Sequence, residues 1–293
     1  MRQGSSDSRV RGARYSIGRS HEIHKVTSGR LKPAASADLH AGLDLARFPQ
    51  FTMAFQPIID VVTGATLAQE ALARDLQTHT AAPLFAKVAA EDLFVFEALC
   101  RERALQLAIS YDHHTPVSLN ISPASVLDPH HGLQQTFQFA ERLGMSPDRL
   151  IFEFTENSVM EDVEAIRALV APMRERGVLI ALDDFGAGYN GLQTLVSMKP
   201  DIIKIDISLI RDICYCEARR VVIDGLVECC SRLDILVVAE GVETVEQVEV
   251  LQGLGIGFMQ GYLLARPQIE RFPVFNAARS GLVTPPTRRD ADC

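Results

Sequence analysis

The stretch VLIALDDFGAGYNGL, Val178–Leu192, joins an apolar run to two aspartates and a glycine-rich turn. The run VLIAL is apolar at every position, which indicates a strand buried on both faces, as in a parallel sheet covered by helices. Carboxylates are rare in such strands because an unpaired buried charge is strongly unfavourable. The stretch therefore predicts an α/β fold with functional acids, Asp183 and Asp184, where one strand ends.

The glycines of this stretch raise a competing hypothesis. Gly186, Gly188 and Gly191 match the G-x-G-x-x-G dinucleotide fingerprint, and Asp206 lies twenty residues past the first of them. An NAD-dependent oxidoreductase is disfavoured because the two preceding aspartates would repel a pyrophosphate, and because the fingerprint normally opens the first βα unit of a domain. We interpret Phe185–Gly191 as a loop beside a metal site, with an ordinary glycine-rich turn as the alternative for each glycine.

Outward from this stretch, strand and helix patterns alternate over most of the chain. The first two strands are joined by the short link DVVTG, which predicts an antiparallel hairpin, and the other six alternate with helices, which predicts parallel strands. Eight strands favour a closed (β/α)₈, or TIM, barrel. The strand candidates are FTMAFQPII, ATLAQEAL, PVSLN, LIFEFTE, VLIALDD, DIIKID, ILVVAE and FMQGYLL. The helix candidates are Ala90–Ile109, a helix from Leu133, Asp162–Arg176, Ala218–Arg232 and Val245–Leu254.

Composition and charge exclude several classes of protein. The 293 residues are 47% hydrophobic with a net charge of −8, of which residues 1–40 carry +5 and the rest −13. An acidic body argues against a nucleic-acid polymer as partner. The sequence has no apolar run long enough to span a membrane and no apolar centre of a secretory signal, and its six cysteines form no C-x-x-C pair. These features predict a cytoplasmic protein without a membrane span. We expect a flexible basic tail over 1–45, a barrel over 46–275 and a frayed tail over 276–293.

Polar side chains stand at or near the C-terminal ends of nearly all the predicted strands. In a barrel these ends converge on one face, where active sites form. One acid there is often only a helix N-cap, but several carboxylates repel one another unless a positive charge compensates. Carboxylates with an amide oxygen suit a hard divalent cation such as Mg²⁺ or Mn²⁺ better than zinc. These residues are Glu70, Asn120, Glu153, Glu156, Asp183, Asp184, Lys204, Asp206, Glu240, Glu243 and Gln260.

The adjacent acids Asp183 and Asp184 impose a condition on the backbone, because neighbouring strand residues face opposite sides. Both reach one site only if Asp184 lies past the strand, where we expect the glycines to turn the chain. Two adjacent acids then serve two metal ions about 3.5–4 Å apart, the spacing used for displacement at phosphorus.

Eight short motifs follow one another along the chain: FQPI, EALAR, LNIS, EFTE, DDFGAGY, KID, AEGVET and QGYLLARP. With this set the chain resembles the EAL domain, the cyclic di-GMP phosphodiesterase fold of bacterial signalling, over about Phe51–Pro267. The resemblance implies a modified TIM barrel whose first strand runs antiparallel. It also implies hydrolysis of cyclic di-GMP to linear pGpG by water attack on one phosphodiester.

The resemblance implies a role for each motif residue. Glu240 would hold the attacking water and act as base, Lys204 would orient that water and offset phosphate charge, and Glu156 and Gln260 would support the loop and the metal shell. The implied ligands of two Mg²⁺ or Mn²⁺ ions are Glu70, Asn120, Glu153, Asp183 and Asp184. The implied substrate-binding residues are Gln56, Leu72 and Arg74.

Three departures from the family pattern leave this set complete. Gln69 precedes the EAL triplet, Ala73 replaces a common Leu, and the loop reads GAGYNGL. A homodimer through helices beside DDFG and after KID is a further implication of the resemblance. The alternative function is a catalytically weak EAL domain that acts as a cyclic di-GMP receptor or a protein-interaction module.

Overall fold

The structure is a computed structural model that describes residues 44–111, 114–155, 163–188 and 191–275. The tails predicted over 1–45 and 276–293 lie outside the described residues except for positions 44 and 45, and Glu156 lies outside them too.

Nine strands and nine α-helices alternate along the described residues. The strands are β1 (Phe51–Asp60), β2 (Thr66–Asp75), β3 (Val117–Ile121), β4 (Leu150–Thr155), β5 (Leu179–Phe185), β6 (Ile202–Ile205), β7 (Leu236–Ala239), β8 (Phe258–Met259) and β9 (Gln268–Ile269). The helices are α1 (Ala82–Phe85), α2 (Leu93–Tyr111), α3 (Pro123–Val126), α4 (Leu133–Arg142), α5 (Val163–Arg174), α6 (Gly191–Met198), α7 (Ile207–Ile210), α8 (Glu217–Arg232) and α9 (Val245–Gly253). Short 3₁₀ turns cover Leu45–Arg47, Ala90–Asp92 and Pro147–Arg149.

The first eight strands close into a barrel, which confirms the predicted modified TIM fold. Strands β2 to β8 are parallel and hydrogen-bonded in sequence order, and β1 fills the gap between β8 and β2 while antiparallel to both. The short β9 pairs with the same edge of β1 as β8, nearer the N-terminal end of β1. Because β1 runs against the other strands, its N-terminal end lies at the same rim as their C-terminal ends.

The chain reverses direction between β1 and β2 in a tight turn that follows Asp60. Asp60 accepts a backbone hydrogen bond from Gly64 at 2.7 Å, and its carboxylate accepts one from the Val62 N–H at 2.9 Å. Gly64 has φ of +77°, a conformation that glycine adopts without steric cost. This tight turn leaves no room for a crossover helix, so the two strands must pair antiparallel.

An apolar layer fills the barrel directly beneath its polar rim. Ala68, Ile151, Ala181, Ile202 and Val238 belong to one buried cluster, and each stands two residues before a polar residue that the sequence singled out. Side chains two apart in a strand share a face, so each strand places an apolar group in the core and a polar group one layer above it. The layer closes the barrel interior below the rim.

Some predicted boundaries are wrong. The second strand continues to Asp75, so Glu70 lies in its middle and not near its end. The eighth strand covers only Phe258–Met259, so Gln260 follows it. Helix α6 begins at Gly191, where the sequence indicated only a loop.

Candidate active site

The structure brings the predicted polar residues of seven strands together at one rim of the barrel. All seven strands, β2 to β8, are parallel neighbours, so a residue at the same level in each faces the same space. The rim residues are Glu70 on β2, Asn120 on β3, Glu153 on β4, Asp183 and Asp184 on β5, Lys204 on β6, Glu240 after β7 and Gln260 after β8.

Lys204 stands at the centre of this ring. Its side chain is 1% exposed, and its ammonium group contacts four carboxylates from four strands or strand ends. The distances from Nζ are 2.7 Å to Glu240 Oε1, 3.0 Å to Asp183 Oδ1, 3.2 Å to Glu153 Oε2 and 3.4 Å to Glu70 Oε2. Burial alone would lower the pKa of Lys204, but the four carboxylates outweigh it and raise this pKa well above the ordinary value.

The carboxylates around Lys204 differ in acidity. Burial opposes the ionisation of Glu70, but Lys204 and hydrogen bonds from Gln260 and Asn120 hold the pKa of Glu70 below its ordinary value. Burial raises the pKa of Glu153 well above the ordinary value in spite of Lys204. Burial also raises the pKa of Glu240 to about 8, again against the attraction of Lys204. One ring therefore holds carboxyl groups with different affinities for protons.

Hydrogen bonds fix the orientation of these carboxylates. Glu70 accepts from Gln260 Nε2 at 2.9 Å and from Asn120 Nδ2 at 3.3 Å. Glu153 accepts from Ser118 Oγ at 2.5 Å. Ser118 is not among the residues predicted from the sequence, because its small hydroxyl group carries no charge that demands a partner in an apolar strand.

Asp183 and Asp184 reach the same space through an irregularity in β5 itself. Asp184 has φ of +54°, and the pairing of β5 with β6 shifts between Leu182 and Phe185. Aspartate tolerates the left-handed region better than most residues. The expectation that Asp184 lies past the strand is thus wrong, because β5 continues to Phe185 and Asp184 is itself the left-handed residue. Gly186, with φ of +95°, turns the chain only after both aspartates.

Glu240 is directed toward the ring by the chain around it. Its backbone N–H donates to the Ile205 carbonyl at 3.1 Å, which extends the pairing of β6 with β7 by one residue. Gly241 then has φ of +65°, and a Cβ there would lie 2.3 Å from Ile207 Cγ1. The chain must therefore turn away immediately after Glu240.

The residues present fit divalent cations. Glu70, Glu153 and Asp183 can bring one oxygen each within 4.8 Å of one another, and so can Asp183, Asp184 and Glu240. Asp183 is common to both groups, and its buried Oδ1 makes no hydrogen bond although it lies 3.0 Å from Lys204 Nζ. Two overlapping sets of oxygen ligands that share Asp183 suit hard cations such as Mg²⁺, Mn²⁺ or Ca²⁺.

Two adjoining cavities open at the rim. One, of about 400 Å³, is lined by Gln56, Glu70, Asp184 and Glu240 among others; the other, of about 350 Å³, is lined by Arg74 and Asn120 among others, and Leu72 lines both. The predicted substrate-binding residues thus all face these cavities. Gln56 is buried and donates from Nε2 to the Ala265 carbonyl at 3.1 Å, while Arg74 donates from Nη1 to the Ala73 carbonyl at 2.9 Å.

Comparisons with known proteins agree with this geometry. A profile of the EAL domain family matches residues 43–267. The cyclic di-GMP phosphodiesterase PA2567 of Pseudomonas aeruginosa is 31% identical over 226 residues, which are 75% of this chain and 38% of that protein. The chain spans between 27% and 55% of the length of three curated relatives that it matches.

Solved structures of similar sequence share the fold. A standalone EAL protein from Vibrio cholerae O395, in a cyclic di-GMP-bound form, superposes with a TM-score of 0.74 at 33% identity, over 82% of this chain and 99% of that one. BlrP1 from Klebsiella pneumoniae superposes with a TM-score of 0.73 at 32% identity in a calcium and cyclic di-GMP complex, over 80% of this chain and 60% of that one. Its manganese and cyclic di-GMP complex gives 0.71 at 33% identity, over 76% and 58%.

Proposed function

The chain belongs to the EAL domain family, and on this premise we propose that it hydrolyses cyclic di-GMP to linear pGpG with the help of two divalent cations. The observation that carries the proposal is the ring itself, in which carboxylates from separate strands surround one buried lysine. A purely structural network would not need two overlapping groups of acids within 4.8 Å of one another.

We assign the cations to the five oxygen-bearing residues that the family resemblance implies. When bound, Mg²⁺ or Mn²⁺ neutralises phosphate charge and makes water a better nucleophile at neutral pH. The complexes of BlrP1 with cyclic di-GMP and either manganese or calcium support the use of a divalent cation by this chain. The assigned ligands are Glu70, Asn120, Glu153, Asp183 and Asp184.

The side chains of the ring accept the proton of the attacking water and offset the negative charge of the phosphate. A new bond forms from the water oxygen to phosphorus, and Glu240 accepts the water proton. The phosphorus–oxygen bond on the ribose 3′ side breaks, and the 3′ oxygen keeps its electron pair and takes up a proton to become a hydroxyl group. Glu240 shares one cluster of carboxylates with the assigned ligands Asp183 and Asp184, so it can reach a water molecule held there. Lys204, 2.7 Å from Glu240, orients the water and stabilises negative charge at the phosphate. Gln260 holds Glu70, and Glu156 is assigned to support of the DDFG loop.

The substrate fits the adjoining cavities as a two-part ligand. Cyclic di-GMP has two nucleotide halves, and two cavities of about 350 and 400 Å³ that share Leu72 provide one space for each half. Arg74 carries the positive charge for a substrate phosphate, and Gln56 and Leu72 shape the nucleotide pocket. The cyclic di-GMP-bound form of the V. cholerae EAL protein supports this assignment.

The remaining proposals concern partners and location. We propose a homodimer formed through α6, α8 and the turn before α8. Large apolar side chains there expose between 58% and 90% of their surface, namely Leu192, Val196, Tyr215, Val221 and Val222. We also propose a barrel domain over 46–275, a cytoplasmic location, and no nucleic-acid polymer as partner. Among the described helices, none combines the length and the apolar character that crossing a bilayer requires.

The test is a hydrolysis assay that separates cyclic di-GMP from pGpG by chromatography. The protein should form pGpG with Mg²⁺ or Mn²⁺ and none with EDTA. Glu70→Gln and Glu240→Gln should each lower turnover by at least about 100-fold, while Glu141→Gln, a surface change on α4, should leave turnover unchanged. Tight binding of cyclic di-GMP without product in either metal would refute the enzyme and support the receptor or interaction module.

A further inference from the structure

Ser118 is a buried hydroxyl group that faces the candidate metal ligands. It lies in β3, two residues before Asn120, and its side chain is fully buried. In the register of the sheet it is opposite Glu70 on β2 and Ile151 on β4. Ser118 therefore stands level with Glu70 and one layer below Glu153, between the strands that carry them.

The contact of Ser118 is with one particular oxygen. Its Oγ donates to Glu153 Oε1 at 2.5 Å, whereas Glu153 Oε2 lies 3.2 Å from Lys204 Nζ. Glu153 is itself only 1% exposed, so solvent cannot replace either partner. One carboxylate oxygen is thus held from below by a neutral donor, and the other faces the positive centre of the ring.

We propose that Ser118 is a positioning residue that makes Glu153 a one-oxygen ligand for a divalent cation, an inference that rests on the proposed function of the ring. The hydroxyl fixes the side-chain torsion of Glu153 and keeps Oε1 engaged, so that Oε2 alone is presented to the space shared with Glu70 and Asp183. Partners of this kind contribute strongly to metal affinity because they hold the ligand in its binding orientation before the ion arrives.

The proposal predicts an effect on metal affinity that does not depend on turnover. Ser118→Ala removes the donor, and Ser118→Cys replaces it with a weak donor while filling most of the space. Without the hydroxyl, Glu153 Oε1 competes with Oε2 for the cation, and the orientation of the carboxylate is no longer fixed. Both variants should bind Mn²⁺ about tenfold more weakly than the parent protein.

The experiment is a titration of the full chain with MnCl₂, in which electron paramagnetic resonance measures the free ion. Thr52→Val is the matched control, because Thr52 Oγ1 also donates to a glutamate, Glu270, at 2.5 Å, outside the ring. The control should lose some thermal stability but keep the parent affinity for Mn²⁺. The thermal unfolding temperature in EDTA, measured for all variants, shows whether each is folded.

The outcomes separate this inference from the proposed function. Weaker Mn²⁺ binding by both Ser118 variants, with Thr52→Val unchanged, supports the positioning role, even if the parent protein forms no pGpG and the proposed enzyme fails. Parent-like Mn²⁺ affinity in folded Ser118→Ala and Ser118→Cys overturns the inference, even if the enzyme is active. A parent protein that binds no Mn²⁺ overturns both.

Discussion

At the scale of single residues, Lys204 and the carboxylates around it depend on one another. A lysine that is 1% exposed is unfavourable without partners, and four converging carboxylates are unfavourable without a cation. The four contacts of 2.7–3.4 Å satisfy both requirements at once. Lys204 is therefore the cation of the ring when no metal ion is bound.

Lys204→Met tests this role in the absence of metal. The change removes the ammonium group that contacts four buried carboxylates, so the free energy of unfolding in EDTA should fall by about 3–5 kcal/mol. Added Mg²⁺ should recover part of this loss, because it binds the same carboxylates. Chemical denaturation in EDTA and in Mg²⁺ measures both effects.

The matched control for Lys204 is Lys87→Met. Lys87 binds one carboxylate, that of Asp75, but its side chain is 45% exposed, so the loss should be about 1 kcal/mol or less and insensitive to Mg²⁺. Equal losses for the two lysines, or a Lys204 variant as stable as the parent in EDTA, would show that the ring does not need its lysine.

Glu240 gives the metal-free protein a predictable response to pH. Its pKa is about 8 in the folded protein against an ordinary 4.5, so the folded state keeps a proton that the unfolded state loses. The contribution of this group to the free energy of unfolding is fully present below about pH 4.5 and is lost as pH rises toward 8. The loss is at most about 1.4 kcal/mol per pH unit for one proton. Denaturation in EDTA from pH 5 to 8 should therefore show a steeper decline for the parent than for Glu240→Gln. Parallel curves would contradict the raised pKa.

The sequence predicted most rim residues because strand chemistry makes them conspicuous. A carboxylate or lysine within an apolar run has few structural explanations, so Glu153, Asp183 and Lys204 could be identified without coordinates. Ser118 could not be identified in the same way, because a small hydroxyl is common in strands and carries no charge that demands a partner. Its importance follows only from the 2.5 Å contact with Glu153, which the sequence does not reveal.

At the scale of elements, β5 departs most from what its sequence implies. A regular strand would point Asp183 and Asp184 to opposite faces, and we assigned the turn to the glycines. The observed φ of +54° at Asp184 places the irregularity inside the strand. A single left-handed residue leaves no pattern in the sequence, since aspartate is equally common at regular strand ends. Helix α6 was missed for a related reason, because Gly191 at its first position indicated a loop.

Helices α6 and α8 carry the prediction for the homodimer. Leu192 is 67% exposed on α6 and Val221 is 65% exposed on α8, and a glutamate at either position would place a charge in the proposed interface. Leu192→Glu and Val221→Glu should each shift the protein from dimer to monomer in analytical ultracentrifugation. Val62→Glu, a 54% exposed position in the β1–β2 turn, should leave the assembly unchanged. A parent protein that is already monomeric at micromolar concentration would contradict the proposed homodimer.

At the scale of the whole molecule, the barrel explains why residues far apart in sequence form one site. Glu70 and Gln260 are 190 residues apart, yet their side chains are hydrogen-bonded at 2.9 Å. The alternation of strands and helices predicted parallel strands with crossover helices, and eight strands at this chain length favoured a closed barrel over an open sheet. It could not predict β9, because a strand of two residues, Gln268 and Ile269, has too few positions to form a pattern.

The central claim is that this rim binds paired divalent cations, and anomalous diffraction from crystals grown with Mn²⁺ and cyclic di-GMP tests it most directly. We predict two anomalous peaks about 3.5–4 Å apart, with Asp183 contacting both and Glu70, Asn120, Glu153 and Asp184 completing their ligands. A rim without anomalous signal at saturating Mn²⁺, or Mn²⁺ bound only at surface carboxylates elsewhere, would contradict the account.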